Sequence, residues 1–133
     1  MGSLDAFLNP IQTENKEIIV SNRFQEDGKP VPFIIRPISE DENKKLIKKF
    51  TKRDKRGNET FDQAEYVQAL TASAVVFPDL SNAELQKHYN VLGESDLLAK
   101  MLYAGEYAEL AAAVQDLSGI DEDINETVDG VKN

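Results

Sequence analysis

The chain has one histidine, His88, and no cysteine, and its 24 acids outnumber its 15 Lys and Arg residues. Those numbers bound the chemistry it can do. Serine-hydrolase logic needs a nucleophile, a base and a third group that orients the base. A lone histidine in the run LQKHYN, near the end of a short helical pattern, has no such partner set. Without cysteine there is no thiolate nucleophile, no disulfide and no thiolate metal site. A metal would have to be held by carboxylates alone, and the run DEDINETVD lacks the regular ligand spacing and central Gly of a calcium loop. The seven glycines are scattered and form no phosphate-cradling loop. Any two acids can meet in space, but nothing in the sequence singles out a pair. No catalytic residue, cofactor site or metal site is expected, and the chain reads as a non-enzyme.

What stands out is charge. Residues 43–58 read NKKLIKKFTKRDKRGN and hold eight of the fifteen basic residues of a chain with net charge -9. Between Lys44 and Arg56 the only acid is Asp54, so this stretch carries +7 and the remainder -16. The stretch has two readings. One is a plain solvated helix face, with Leu46, Ile47 and Phe50 toward the core and lysine stems lying over apolar surface. The other is an electrostatic docking site for an acidic protein partner, or for the chain's own acidic tail. A nucleic-acid-binding regulator is disfavoured: the remaining charge repels phosphates, and no aromatic stacking platform adjoins the patch.

At 133 residues the chain is expected to form one domain with one core. A hydrophobic fraction of 41% with 29% charged residues describes a soluble globular chain rather than a disordered one. The best apolar run, ASAVVF at 72–77, is far too short to span a membrane. The start, MGSLDAFLNP, lacks the features of a signal peptide, and Ala6 occupies the position where myristoylation needs Ser or Thr. The default localisation is cytoplasmic.

The elements that would position these residues follow from punctuation and period. SLDAFL makes a turn or two of helix that stops at Asn9-Pro10. Two β-type runs, 17–24 and 31–39, flank QEDGKP, where Asp27-Gly28 signals a hairpin turn. Pro30, Pro32 and Pro37 cannot donate to a ladder, so the second strand is expected at an edge or in a very small sheet. Ser39 and Glu42 form a capping box that opens a helix running through the basic stretch to about Arg56-Gly57-Asn58. A second helix starts around Thr60 to Asp62 and runs to Pro78, with Phe61, Ala64, Val67, Leu70, Ala74 and Phe77 at helical spacing. Ser81 and Glu84 box the next helix, AELQKHY; Gly93 breaks the chain; Ser95 or Asp96 caps LLAKML; Ala104-Gly105 joins it to EYAELAAAVQDL. Leu98, Met101, Leu102, Tyr107, Leu110, Ala111, Val114 and Leu117 supply the buried faces of these last helices. The expected fold is α+β, an N-terminal β-hairpin over 17–39 packed on a predominantly helical body over 39–118. A flexible acidic tail over 119–133 completes it.

The block FPDLSNAELQKHYNV, followed by LLAKMLYAGEYAELAAAVQDL, resembles the C-terminal half of the XkdN-like tail assembly chaperones of tailed phages and prophages. SLDAFLNP, the hairpin KEIIVSNRFQEDGKPVPFIIRPISEDE and the Lys-rich helix after it resemble the N-terminal half, so the likeness runs from about Ser3 to Leu117. The resemblance implies a non-enzymatic assembly factor of the host cytoplasm, absent from the finished virion. It implies binding to the aggregation-prone tape measure protein and recruitment of tail tube protein around it. The resemblance also implies that members are often made in a longer, frameshifted form as well, and this chain is then expected to correspond to the short one. No binding motif comes with the resemblance. Candidate partner-binding residues therefore rest on charge and periodicity: Lys45, Lys48, Lys49, Lys52 and Arg53 on the basic stretch, and Leu98, Met101 and Tyr107 on the last helices. Self-association through the same surfaces is a further expectation. The runner-up from another class is a structural tail component retained in purified particles.

Overall fold

The computed structural model describes residues 2–120. The expected α+β architecture is present: a small antiparallel sheet and two short hairpin ribbons around a predominantly helical body. After a free-standing turn of helix, α1 (Leu4–Leu8), come β1 (Lys16–Ile18), β2 (Gln25–Glu26), β3 (Lys29–Pro30) and β4 (Phe33–Ile35). The Asp27-Gly28 turn is as expected, with both residues at positive φ (53° and 77°), the conformation of a two-residue hairpin loop. The hairpin it closes is interrupted. Ile18 pairs with Phe33, but Gln25 pairs with Pro30, so residues 19–24 leave the ladder as an excursion.

β4 is not an edge strand. It lies at the centre of the three-stranded sheet, between β1 and β7 (Val75–Phe77), antiparallel to both. The prolines that argued for an edge, Pro32 and Pro37, bracket the paired residues, while Phe33, Ile34 and Ile35 keep their N–H groups. The expectation of a very small sheet is met, since each of its strands is three residues long.

Helix α2 (Glu40–Lys49) opens on Ser39, whose hydroxyl accepts the Glu42 N–H at 3.2 Å, with Glu40, Asp41 and Glu42 in the first turn and Lys48 and Lys49 in the last. It stops seven residues before Arg56. The rest of the basic stretch is a second hairpin, β5 (Thr51–Arg53) with β6 (Glu59–Phe61). Turn chemistry overrides helix propensity there. The Asp54 carboxylate accepts the backbone N–H groups of Arg56 (2.8 Å) and Asn58 (2.9 Å), and Gly57 takes φ +84°. In consequence Ile47, expected toward the core, is 40% exposed.

Helix α3 (Gln63–Ala74) is capped by Asp62, which accepts the Glu65 N–H at 3.1 Å. It ends at Ala74, and Val75-Val76-Phe77 continue as strand β7; β-branched and aromatic side chains favour the pleated state. Phe61 and Phe77, expected on its apolar face, therefore lie outside the helix and are partly exposed. Further on, α4 (Ala83–His88) is capped by Asn82 (2.9 Å to the Leu85 N–H) instead of Ser81, whose hydroxyl donates to Asp79. α5 (Glu94–Met101) starts at Gly93 with φ +109°, and Ser95 and Asp96 lie inside it. Before α6 (Ala104–Leu117), the Glu106 carboxylate reaches back to accept the Tyr103 N–H at 2.8 Å. That helix closes in a Schellman motif: Gly119 N–H donates to Asp116 O and Ile120 N–H to Gln115 O. The first two residues of the expected tail thus belong to the helix cap, and from residue 121 onward it lies outside the described residues.

The core joins both layers. Phe33 and Ile35 of β4 lie in one cluster with Leu70 and Ala74 of α3, Leu97 and Leu98 of α5, and Leu110 and Val114 of α6. Thr71 is fully buried, and its hydroxyl is satisfied by donating to Val67 O at 2.7 Å. Because Ile35 and Leu110 are both 0% exposed, truncating either to Ala is expected to cost about 2–5 kcal/mol. Urea unfolding should show the midpoint falling with the slope unchanged. Lys44→Ala, on the exposed face of α2, should stay within about 0.5 kcal/mol of the parent.

Candidate functional site

The candidate basic residues divide between a helix and a hairpin. Lys45 pairs with Asp41 one turn earlier (3.0 Å), both 76% exposed, an arrangement that adds little stability. Arg53 pairs with Glu59 across the β5–β6 ribbon. Lys48, Lys49 and Lys52 are exposed and carry no ion pair among the described residues; the Lys49 ammonium lies 5.5 Å from the Phe50 ring centre. Asp54 makes no ion pair with its basic neighbours among the described residues. Hydrogen bonds from the Asn58 and Arg56 amides hold its carboxyl below the ordinary range and commit it to the turn. Consecutive strand residues face opposite sides of a ribbon, so Lys52 and Arg53 do not extend a single stripe begun by Lys48 and Lys49.

The apolar candidates lie deeper than a partner surface. Leu98 is 0% exposed and belongs to the core, so it offers nothing to a partner in this fold. Met101, 6% exposed, shows only an edge, which lines a pocket described below. Tyr107 is half-buried with its hydroxyl enclosed; burial pushes the phenol up, partly offset by the nearby Thr71 hydroxyl. Sequence periodicity marks buried faces well, but it cannot separate a core residue from a contact residue on the same face. His88 is exposed at the end of α4 and packs edge-on to Tyr89, 4.9 Å between ring centres. Among the described residues no cluster of His, Cys, Asp or Glu could hold a metal, and no helix is long and apolar enough to cross a membrane.

A surface that periodicity missed lies where β7 runs into α4. Phe24, Val31, Phe77, Pro78, Leu85 and the edge of Met101 enclose a wholly apolar pocket of about 190 Å³. A shallower depression of about 480 Å³ shares Phe77, Pro78 and Leu85 and carries Asp79, Glu84 and His88. The two form one groove, apolar at its centre and acidic along one end. Its lining comes from the excursion before β2, the segment before β4, the end of β7, α4 and α5. The visible signals were Val31-Pro32 and Phe77-Pro78, apolar residues beside prolines that end a ladder.

Next to the groove, Arg23 ties the excursion to the helices. Its guanidinium forks onto the Glu106 carboxylate (Nε to Oε2 3.2 Å, Nη2 to Oε1 2.5 Å) and donates to Met101 O at 3.0 Å. It also lies 4.0 Å from the centre of the Tyr103 ring and 5.0 Å from that of Phe24. The network therefore holds Phe24 and Met101, two walls of the apolar pocket, in register.

Similarity to known proteins agrees with this architecture. Residues 4–132 match the model of the phage XkdN-like tail assembly chaperone proteins, nearly the whole chain. The chain belongs to that family. Among curated proteins it is similar to XkdN of the phage-like element PBSX of Bacillus subtilis strain 168, 23% identical over 92% of this chain and 87% of that one. It is similar to the uncharacterized YqbN of the same strain, at 25% identity and the same coverage. The crystal structure of YqbN superposes with a TM-score of 0.79 at 24% identity, over 91% of this chain and 99% of that one, and shows the same fold. The tail assembly chaperones are a chaperone class acting on phage tail proteins, not a class defined by a reaction.

The Arg23–Glu106 fork makes a pH prediction. Hydrogen bonds from Arg23, then Ser21 and the Tyr103 amide, hold the Glu106 carboxyl down to about 2 from an ordinary 4.5. A depressed carboxyl contributes stability that is fully present above 4.5 and is lost as pH falls toward 2. Thermal melts should accordingly be lower for Glu106→Gln than for the parent at pH 7. The gap should close as the pH is lowered through that window; a constant gap would assign the loss to packing alone.

Proposed function

We propose that this chain binds the tape measure protein during phage tail assembly, in the host cytoplasm, and is not carried into the finished particle. The reading rests on membership in the tail assembly chaperone family together with one observation, the open apolar groove of Phe24, Phe77, Pro78 and Leu85. A tape measure protein is long and helical, and an amphipathic helix is recognised by laying its apolar face in such a groove. Asp79 and Glu84 at one end favour a helix with basic residues flanking its apolar stripe. Lys48, Lys49 and Lys52 supply a second contact, for acidic segments of the client or for tail tube subunits gathered around it. Held this way, the client's apolar stripe is covered while tube subunits assemble. The reading involves no catalysis.

The test is co-expression of tagged chain with the tape measure protein of its own tail operon, followed by capture and quantification. Leu85→Asp places a charge in the groove from a partly exposed position and should reduce capture at least tenfold. Lys48→Glu with Lys52→Glu should weaken capture less, and the loss should grow as salt is lowered. Undiminished capture by Leu85→Asp, or the chain present in stoichiometric amounts in purified particles, would overturn the proposal.

A further inference from the structure

The segment most in need of a partner is at the start of the chain. Leu4 is 72% exposed, Phe7 80%, Leu8 64% and Ile11 100%, and α1 buries none of its residues. Phe7 is the most exposed of the six phenylalanines, well beyond Phe77 at 47% and Phe61 at 42%. A five-residue helix has no stability of its own in water, because helices shorter than about 12–15 residues are marginal even with good sequences. Residues 11–17 are all exposed, so α1 stands off the body on an extended connection.

The same chain contains a receptor of matching size and chemistry. The apolar pocket between Phe24, Val31, Phe77 and Leu85 holds about 190 Å³. An apolar cavity of about 150 Å³ stays dry and takes a benzene ring. The segment before Ile11 carries one charged side chain, Asp5, so almost no charge has to be desolvated when it docks.

We propose that this pocket receives Phe7 of a second copy of the chain, so that two copies exchange their N-terminal segments reciprocally. Leu4 and Leu8 of the visiting helix cover the rim made by Phe77, Pro78 and Leu85. A two-fold exchange uses each surface twice, which closes the assembly at two copies. Each segment brings on the order of 500 Å² of side-chain surface. The two reciprocal contacts cover on the order of 1,000 Å² of segment surface, plus the smaller area of the groove that each one enters, at the lower end of the range for specific interfaces. The exchange stands independently of client binding, though both use the groove, so a bound tape measure helix and the dimer exclude each other.

The full chain alone, without client, tests this by sedimentation velocity over a range of concentrations. The parent should shift from monomer to dimer, and Phe7→Ser should raise the dissociation constant roughly ten- to a hundredfold. Because the chain has no cysteine, introduced thiols report on proximity without interference. Ala6→Cys chains mixed with Val31→Cys chains should form a disulfide-linked pair under mild oxidation, and the Phe7→Ser background should abolish it. A parent that stays monomeric, a dimer indifferent to Phe7→Ser, or a disulfide that forms only within the doubly substituted single chain would each overturn the exchange. The last outcome would place α1 in the pocket of its own chain.

Discussion

Three-residue strands make few ladder hydrogen bonds, and a sheet built from them cannot stand without a helical layer beneath it. The constraint is met at β4. Phe33 and Ile35, on its inner face, are 2% and 0% exposed and sit among the leucines of α3, α5 and α6. One covalent device makes this work: α3 passes into β7 with no intervening loop, so the helix that floors the core also delivers the third strand. The Arg36 N–H donates to Ala74 O at 2.9 Å across that junction, and the β4–β7 register shifts between Ile34 and Ile35 to accommodate it. A second tie runs from Ile38 N–H to the Ser118 hydroxyl at 2.9 Å, holding the approach to α2 against the end of α6. Sheet and helices therefore share one cooperative core.

The same constraint opens the groove. Strand β7 lies at the edge of the sheet and ends at Phe77-Pro78, so Phe77 has a strand partner, Ile34, on one side only, and Leu85 of α4 lines the same surface. The excursion of residues 19–24 supplies the opposite wall, and Arg23 fixes it through Glu106 and Met101 O. With Glu106 17% and Arg23 39% exposed, this fork is more shielded than the Lys45–Asp41 pair on α2, so its geometry is the better defined of the two.

Much of this was legible in the sequence, for identifiable reasons. The Asp27-Gly28 turn and the apolar spacing through Leu98, Leu110 and Val114 are local signals that form as read, whereas only the serine half of the Ser39–Glu42 box forms, the Glu42 carboxylate being held by Arg36. Misreadings occur where two local signals compete. Lysines argue for continuing α2, while Asp54, Gly57 and Asn58 argue for a turn, and the turn prevails once Thr51 and Phe61 can pair. Val75-Val76 fits the end of a helix or the start of a strand, and only β4 beside it decides. At the candidate surface, composition located the basic residues, but it could not say that Lys45 and Arg53 are paired while Lys48, Lys49 and Lys52 carry no ion pair among the described residues. The groove was illegible because segments far apart in sequence line it, none of them carrying a periodic signal of its own.

A chaperone faces opposed demands, since the apolar surface that holds a client also promotes its own aggregation. The distribution of charge and exposure here answers both. A groove with acids at one end and a short N-terminal segment expose apolar side chains, and the chain's net charge of -9 disfavours unspecific association. In the proposed exchange the segment covers the groove with a ligand weaker than a long client helix, because α1 offers little more than one turn. A longer amphipathic helix fills the pocket and the acidic end together, and so displaces it. The apolar surface of the groove is then open to solvent only during the handover, and the length of the incoming helix sets which occupant the groove keeps.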